Sequence, residues 1–245
     1  MTRSPTVVVT RPAGQSAGLV DALQAAGMQP IDLPLLELVA LPPPASEARA
    51  DALRADVIIA VSPSAIGFGR TWWPGTWPPA CSLAGVGSGT ARAWRVAGAE
   101  TVIEPLGDGD SEALLAHPAL QTVSDKAFLI WRGEGGRDLL GPTLRARGAR
   151  VTEWLCYRRR APATLAEQLL EVLQTPPDAW TVTSSEALAH LQAAWPAGCA
   201  RTAPLFAPHP RIAAAAQAAG WLTVVTASGD AGLMTALRTW FDARP

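Results

Sequence analysis

The chain has 245 residues, 49% of them hydrophobic and 17% charged, with 20 basic and 21 acidic side chains and a formal net charge of −1. That much apolar material excludes intrinsic disorder and suffices for one large core or two ordinary domains, while the balanced charge makes nucleic acid an unexpected partner. No window approaches about eighteen uninterrupted apolar residues, and Met1–Pro5 does not begin a basic-then-apolar leader, so no membrane association and a cytoplasmic location are expected.

In chain order, short β-branched runs alternate with stretches of helical periodicity, the pattern of parallel sheets with helices on their faces. The spacing predicts a strand over Val7–Thr10, a helix over Gln15–Ala26 and a strand over Pro30–Leu33. A helix over Glu47–Ala55 leads to a strand at Val57–Val61, a helix at Pro63–Trp73, a strand at Leu83–Val86 and a helix at Gly89–Ala97. Next come a strand at Thr101–Ile103, a helix at Ser111–Ala116, a strand at Phe128–Trp131, a helix at Arg137–Arg147 and a strand at Val151–Tyr157. The remainder reads as helix Thr164–Leu173, strand Ala179–Val182, helix Ser185–Ala194, strand Leu205–Ala207, helix Arg211–Ala219, strand Thr223–Thr226 and helix Asp230–Asp242. Gly27, Gly98, Gly148 and Gly220 each end a helix just before an extended run, where a left-handed residue turns the chain.

Two stretches break the alternation. Leu35–Pro44, ending in three prolines, and Glu153–Pro162, with Arg158–Arg160 inside it, read as extended connectors. The chain then divides into an inserted α/β domain over 40–152 and an outer, discontinuous one made of 1–35 and 161–245, with linkers at 36–39 and 153–160. The other reading is one continuous sheet with two long surface loops. Trp72, Trp73 and Trp77 fall in a proline-rich loop, where a surface or lid-packing role is expected.

Ligands of open parallel sheets bind beyond the carboxyl ends of the strands. Six loops occupy such places: Thr10-Arg11-Pro12, Ser62-Pro63-Ser64, Gly85-Val86-Gly87-Ser88-Gly89-Thr90, Arg132-Gly133 through Arg137, Thr183-Ser184-Ser185-Glu186, and Pro208-His209-Pro210-Arg211. They are rich in hydroxyls, glycine and arginine at helix starts, where exposed N–H groups favour carboxylate or phosphate, although the same residue types are ordinary caps. The expected ligand is an anion. The loop at 85–90 lacks dinucleotide spacing, and the only lysine, Lys126, lies elsewhere, which excludes a phosphate-binding loop. His117, His190 and His209 form no pair at helical spacing and Cys81, Cys156 and Cys199 no ligand set, so no metal site is expected. Tyr157, the only tyrosine, sits beside the Arg158–Arg160 run; its phenol could donate a proton or simply pack.

These segments resemble the uroporphyrinogen-III synthase family. The match is carried by VVVTRPAGQSAGL, LAGVGSGTARAW, FLIWRGEGGRDLLGPTLRARGA followed by VTEWLCYRRR, TVTSSEAL and FAPHPRIAAAAQAAG; RGEGGR with the strand and YRR after it is the most specific. The resemblance implies two doubly wound, flavodoxin-like α/β domains joined by a two-stranded linker, the first discontinuous, with the active site in the cleft between them. It implies an enzyme that uses no metal or organic cofactor and closes the linear tetrapyrrole hydroxymethylbilane to uroporphyrinogen III with loss of water and inversion of the last ring; a monomer is expected. By the resemblance Tyr157 is the candidate acid. Arg11, Ser62, Ser64, Gly87, Ser88, Thr90, Arg132, Gly133, Thr183, Ser184, Ser185, His209 and Arg211 are the candidate substrate-binding residues. Many relatives carry Thr-Ser-x-Asn-Ala where this chain has Val61-Ser62-Pro63-Ser64-Ala65, and a glycine-proline turn with threonines where it has His209-Pro210-Arg211-Ile212, which leaves backbone donation and lets Arg211 replace hydroxyls. The competing reading is a non-catalytic polycarboxylate- or tetrapyrrole-binding protein; retention of Tyr157 and Thr90 favours the enzyme.

Overall fold

A computed structural model describes residues 3–73, 75–77, 80–105 and 109–243. In chain order the strands among them are β1 Thr6–Val9, β2 Gln29–Asp32, β3 Glu37–Ala40, β4 Val57–Ala60, β5 Ser82–Gly85, β6 Ala127–Gly133, β7 Arg150–Arg160, β8 Ala179–Thr181, β9 Leu205–Ala207 and β10 Thr223–Val225. The α-helices are α1 Ala17–Ala25, α2 Ser46–Ala52, α3 Pro63–Arg70, α4 Ser88–Val96, α5 Ser111–Ala116, α6 Leu140–Ala146, α7 Leu165–Gln174, α8 Ser185–Ala194, α9 Pro210–Ala218 and α10 Gly229–Asp242. The chain forms two compact units, Met1–Leu38 with Arg160–Pro245, and Val39–Arg159. It passes from one to the other twice, within β3 and within β7.

In the first unit the strands run β2-β1-β8-β9-β10, all parallel, the doubly wound order of the flavodoxin type. A strand in such a sheet alternates its side chains between two apolar layers, so it must be hydrophobic throughout. Val8 joins Leu169, Leu188, Leu191 and Ile212 on one face. Val7 and Val9 join Leu19, Leu23, Leu233 and Leu237 on the other. Helices α7, α8 and α9 therefore cover one side, and α1 and α10 the opposite one.

The second sheet runs β5-β4-β6-β7-β3, with β4, β5, β6 and β7 paired in parallel. Val57 and Ile59 of β4 pack with Leu114, Leu115, Leu140 and Leu144 of α5 and α6. Across the sheet, Gly69 of α3 admits the Trp131 indole, where a Cβ would lie 2.5 Å from a ring carbon. Trp94 of α4 lies against the same ring at a centroid distance of 5.3 Å and donates its indole N–H to the Ala84 carbonyl at 2.8 Å.

Several elements differ from the sequence reading. Trp72 and Trp73 are buried, and with Trp77, Trp94, Trp131 and Trp154 they form a ring cluster with centroid spacings of 5.1–6.4 Å, so they are core and neither surface nor lid. Prolines 74, 78 and 79 of that loop lie outside the described residues. The expected strand at Thr101–Ile103 reduces to one bridge, Ile103 against Ala84, while the extended segment after Leu35 contains β3, an edge strand too short for a hydrophobic pattern to reveal. Segment 153–160 is the outer part of β7, an eleven-residue strand. Helix α6 begins at Leu140 rather than Arg137, because Gly135 and Gly136 adopt φ of 74° and 87° and hold the preceding loop out of helical conformation.

Candidate active site

In the second unit the candidate residues gather around Tyr157. Strands β6 and β7 pair in register from Ala127–Arg150 to Arg132–Leu155, and then the register slips so that Gly133 pairs with Tyr157. Cys156 is left without an opposite number, a β-bulge of the kind that re-aims a side chain. The Tyr157 ring consequently crosses Gly133, where a Cβ would come within 2.7 Å of two ring carbons and 3.0 Å of the phenol oxygen. Phe68 of α3 stacks on the same ring at a centroid distance of 5.3 Å. Only 5% of Tyr157 is exposed, and its hydroxyl lies 3.2 Å from Ser62 Oγ.

Ser62 holds that place because it caps α3: its backbone is extended, Pro63 occupies the first turn without needing an N–H partner, and the Ala65 N–H donates to Ser62 Oγ at 3.1 Å. Tyr157 lines an open cavity of about 190 Å³ at the carboxyl ends of β4, β5 and β6, with Arg132, Gly133, Gly135, Arg137 and Arg159 around it. Among the described residues the lining includes three arginines and no carboxylate. A pocket that buries a drug-sized ligand is about 300–1,000 Å³. This one is smaller.

The three arginines differ in what they have to offer. Arg132, whose side chain is 13% exposed, donates to Glu153 at 2.9 Å, to Asp138 at 3.0 Å and to the Gly135 carbonyl at 3.0 Å. It therefore braces the loop after β6, and Arg145 meets the same Glu153 at 3.0 Å. Arg137 pairs with Glu112 at 2.6 Å on the surface. Ser64, Gly87, Ser88 and Thr90 do not line the cavity. Thr90 is buried against Gly85, where an added Cβ would lie 3.2 Å from the Thr90 Cβ, so its place is in the packing of α4 on β5. Cys156 is buried, and burial pushes its thiol up to about 12 against the opposing Arg132 backbone hydrogen bond, which disfavours the thiolate.

In the first unit the remaining candidates stand at the carboxyl ends of β1, β8 and β9. Arg11 pairs with Asp230 in the first turn of α10, and its Nε is buried with no hydrogen-bond partner among the described residues. Thr183 is half-buried just before α8; Ser184 caps that helix by accepting from the Ala187 N–H at 3.0 Å, and Ser185 is its exposed first residue. His209 Nδ1 caps α9 by accepting from the Arg211 N–H at 3.2 Å. The Arg211 side chain is exposed and has no hydrogen-bond or ion-pair partner among the described residues. The caps fix the loops and leave the Arg211 side chain facing solvent.

Sequence reasoning missed Phe68, Glu153, Asp230 and Arg159. The first three act on candidates from other elements, and nothing in their own sequence neighbourhoods marks them. Arg159 has a signal in the Arg158–Arg160 run, although charge in an extended segment is equally the mark of a connector.

Two parallel sheets covered by helices, with hydroxyls, glycines and arginines at their strand ends, define the class of doubly wound α/β proteins. A family model described as uroporphyrinogen-III synthase HemD matches residues 17–231, and the chain belongs to that family. Similar curated proteins are the uroporphyrinogen-III synthases of Salmonella typhimurium, 37% identical over 160 residues, and Escherichia coli, 35% identical over 162. Each alignment takes in 63% of this chain and 65% of the relative, so the chain spans just under two thirds of their lengths. The crystal structure of the Helicobacter pylori uroporphyrinogen-III synthetase matches 97% of this chain and 100% of its own with a TM-score of 0.62 at 14% identity, a likeness of fold.

Proposed function

We propose that the protein is a uroporphyrinogen-III synthase acting on hydroxymethylbilane in the cytoplasm, as a monomer and without metal or organic cofactor. The observation that carries this reading is the Tyr157 phenol, fixed by Gly133, Phe68 and Ser62 at the edge of a cavity lined by arginines. The substrate bears acetate and propionate groups on every ring, and strand-end loops of either unit offer partners for carboxylates. Among the described residues no helix is long and apolar enough to cross a membrane. Cys81, Cys156 and Cys199 are free thiols, as a reducing compartment keeps them.

The chemistry asks little covalent work of the protein. The phenol O–H bond of Tyr157 breaks, its proton goes to the hydroxymethyl oxygen of the first ring, the C–O bond breaks and water leaves. The ring nitrogen supplies the electron pair, giving an electron-poor azafulvene. The substituted α-carbon of the last ring attacks it to form a spiro intermediate, which fragments and recloses at the free α-position; the proton lost from that carbon restores the phenol. Unassisted closure gives the other isomer head to tail, so the protein's main task is to fold the chain such that the spiro route is faster.

The test supplies freshly generated hydroxymethylbilane and separates the oxidised products by isomer. An excess of isomer III over the protein-free control is expected, and an equal ratio overturns the proposal. Tyr157→Phe is expected to lower kcat about 10²-fold, within the usual range for a general acid, while the thermal midpoint stays close to that of the parent. Undiminished turnover in a folded variant removes the phenol from the mechanism.

A further inference from the structure

We infer that Ser62 is the positioning residue of the proton donor: it acts through Tyr157, not on substrate, by turning its hydroxyl proton toward the phenol oxygen as that oxygen becomes negative. This rests on the reading of Tyr157 as the acid and goes beyond a substrate-binding role for the serine loop.

The geometry that carries it is a chain of three groups. The Ala65 N–H at the start of the eight-residue α3 donates to Ser62 Oγ at 3.1 Å, which occupies one lone pair of the oxygen. The same oxygen lies 3.2 Å from the Tyr157 hydroxyl, so one hydrogen atom is shared between two oxygens. A hydroxyl both accepts and donates, and an oxygen already held by an amide has its own proton left to give. In the resting protein either oxygen can be the donor. Once the phenol proton has passed to the departing hydroxyl group, only Ser62 can donate, and its proton then meets a phenolate. A hydrogen bond that strengthens as charge develops stabilises the transition state more than the ground state. Because the oxygen also caps a helix, its placement costs no reorganisation during the reaction. The ring is packed against Gly133 and Phe68, which limits its movement. Ser62 does not line the cavity that Tyr157 lines, in keeping with an action through the phenol.

The experiment compares Ser62→Ala, Ser62→Asp and Ser62→Thr with the parent, each also in the Tyr157→Phe background, reading kcat, KM, isomer ratio and thermal midpoint. Asp keeps a side-chain oxygen to cap α3 but has no proton to give, so it separates capping from donation; Thr keeps both. The expected pattern is a kcat loss of about 10- to 100-fold in Ala and Asp with KM little changed, near-parental midpoint in Asp, and recovery in Thr. In the Tyr157→Phe background the same changes are expected to cost almost nothing further, since the group they serve is gone. Ser62→Asp with parental kcat overturns the inference, and so does an equal loss in both backgrounds, which would assign Ser62 to substrate or to the fold. If the parent protein makes no isomer III, the proposed function fails and takes the inference with it; if it does so and only the serine variants are silent, the inference fails alone.

Discussion

Gly133 and Tyr157 share a space that admits only one side chain. The phenol ring lies where a Cβ of residue 133 would project, 2.7 Å from the nearest ring carbons, and Phe68 stacks on the same ring. Gly133→Ala must therefore displace the ring or the strand. A stability loss of about 1–3 kcal/mol is expected from such overpacking, read as a lower urea midpoint at unchanged slope. A fall in kcat of about 10²-fold should accompany it, because a displacement of roughly 1 Å at a reacting group has that effect. An alanine variant with the parental midpoint and turnover would show that the ring has room to spare. The tyrosine was legible in the sequence as a candidate acid, and the glycine and the serine as candidates for substrate binding rather than as neighbours of the phenol. Phe68 was not, since an aromatic residue on an amphipathic helix has core packing as its ordinary meaning.

At the scale of elements, β7 and the loop after β6 decide where the candidate residues point. Glu153 on β7, 20% exposed, receives Arg132 from β6 and Arg145 from α6, and Gly141 leaves the space for its carboxylate. Removing the carboxylate leaves Arg132 with the mostly exposed Asp138 and the Gly135 carbonyl. Glu153→Ala is expected to cost about 2–3 kcal/mol by urea denaturation, a charge stripped of its partner in a largely enclosed place. A midpoint within error of the parent would show that water replaces the carboxylate without loss. Arg132 was expected to meet substrate, and its structural commitments arise because Glu153 and Asp138 become its neighbours only after β6, β7 and the loop are in place. The alternation of strands and helices was legible because a parallel strand covered on both faces must be apolar throughout, as Val7–Val9 and Val57–Ala60 are. The bulge at Cys156 was not, for a one-residue slip leaves the composition of a strand unchanged. Edge strand β3, short and half-exposed, showed only as an extended run before prolines.

In the molecule as a whole, the first unit is assembled from chain segments far apart, and Asp178 fastens them. Its carboxylate accepts from the Thr6 N–H at 2.7 Å, the Thr6 hydroxyl at 2.9 Å and the Arg3 guanidinium at 2.9 Å, across 172 residues of sequence between Thr6 and Asp178. Burial pushes its pKa upward, but the Thr6 hydrogen bonds and the Arg3 charge outweigh burial and hold it below the usual 3.8. A carboxylate with a lowered folded-state pKa adds stability that is complete above its unfolded value and disappears as pH falls through the folded one. Asp178→Asn is accordingly expected to be less stable than the parent at pH 7 and to show a shallower loss of stability below about pH 4. Parallel acid-unfolding curves for the two proteins would remove Asp178 from the acid response. The same separation bears on birth at the ribosome. Val39–Arg159 is contiguous and can collapse soon after it emerges, whereas β1, whose Val7, Val8 and Val9 end fully enclosed, must await β8. At ordinary translation speeds the delay is about 10–30 s. During it the nascent chain carries an apolar strand with one edge unpaired, so this is the segment most open to wrong pairing with another chain.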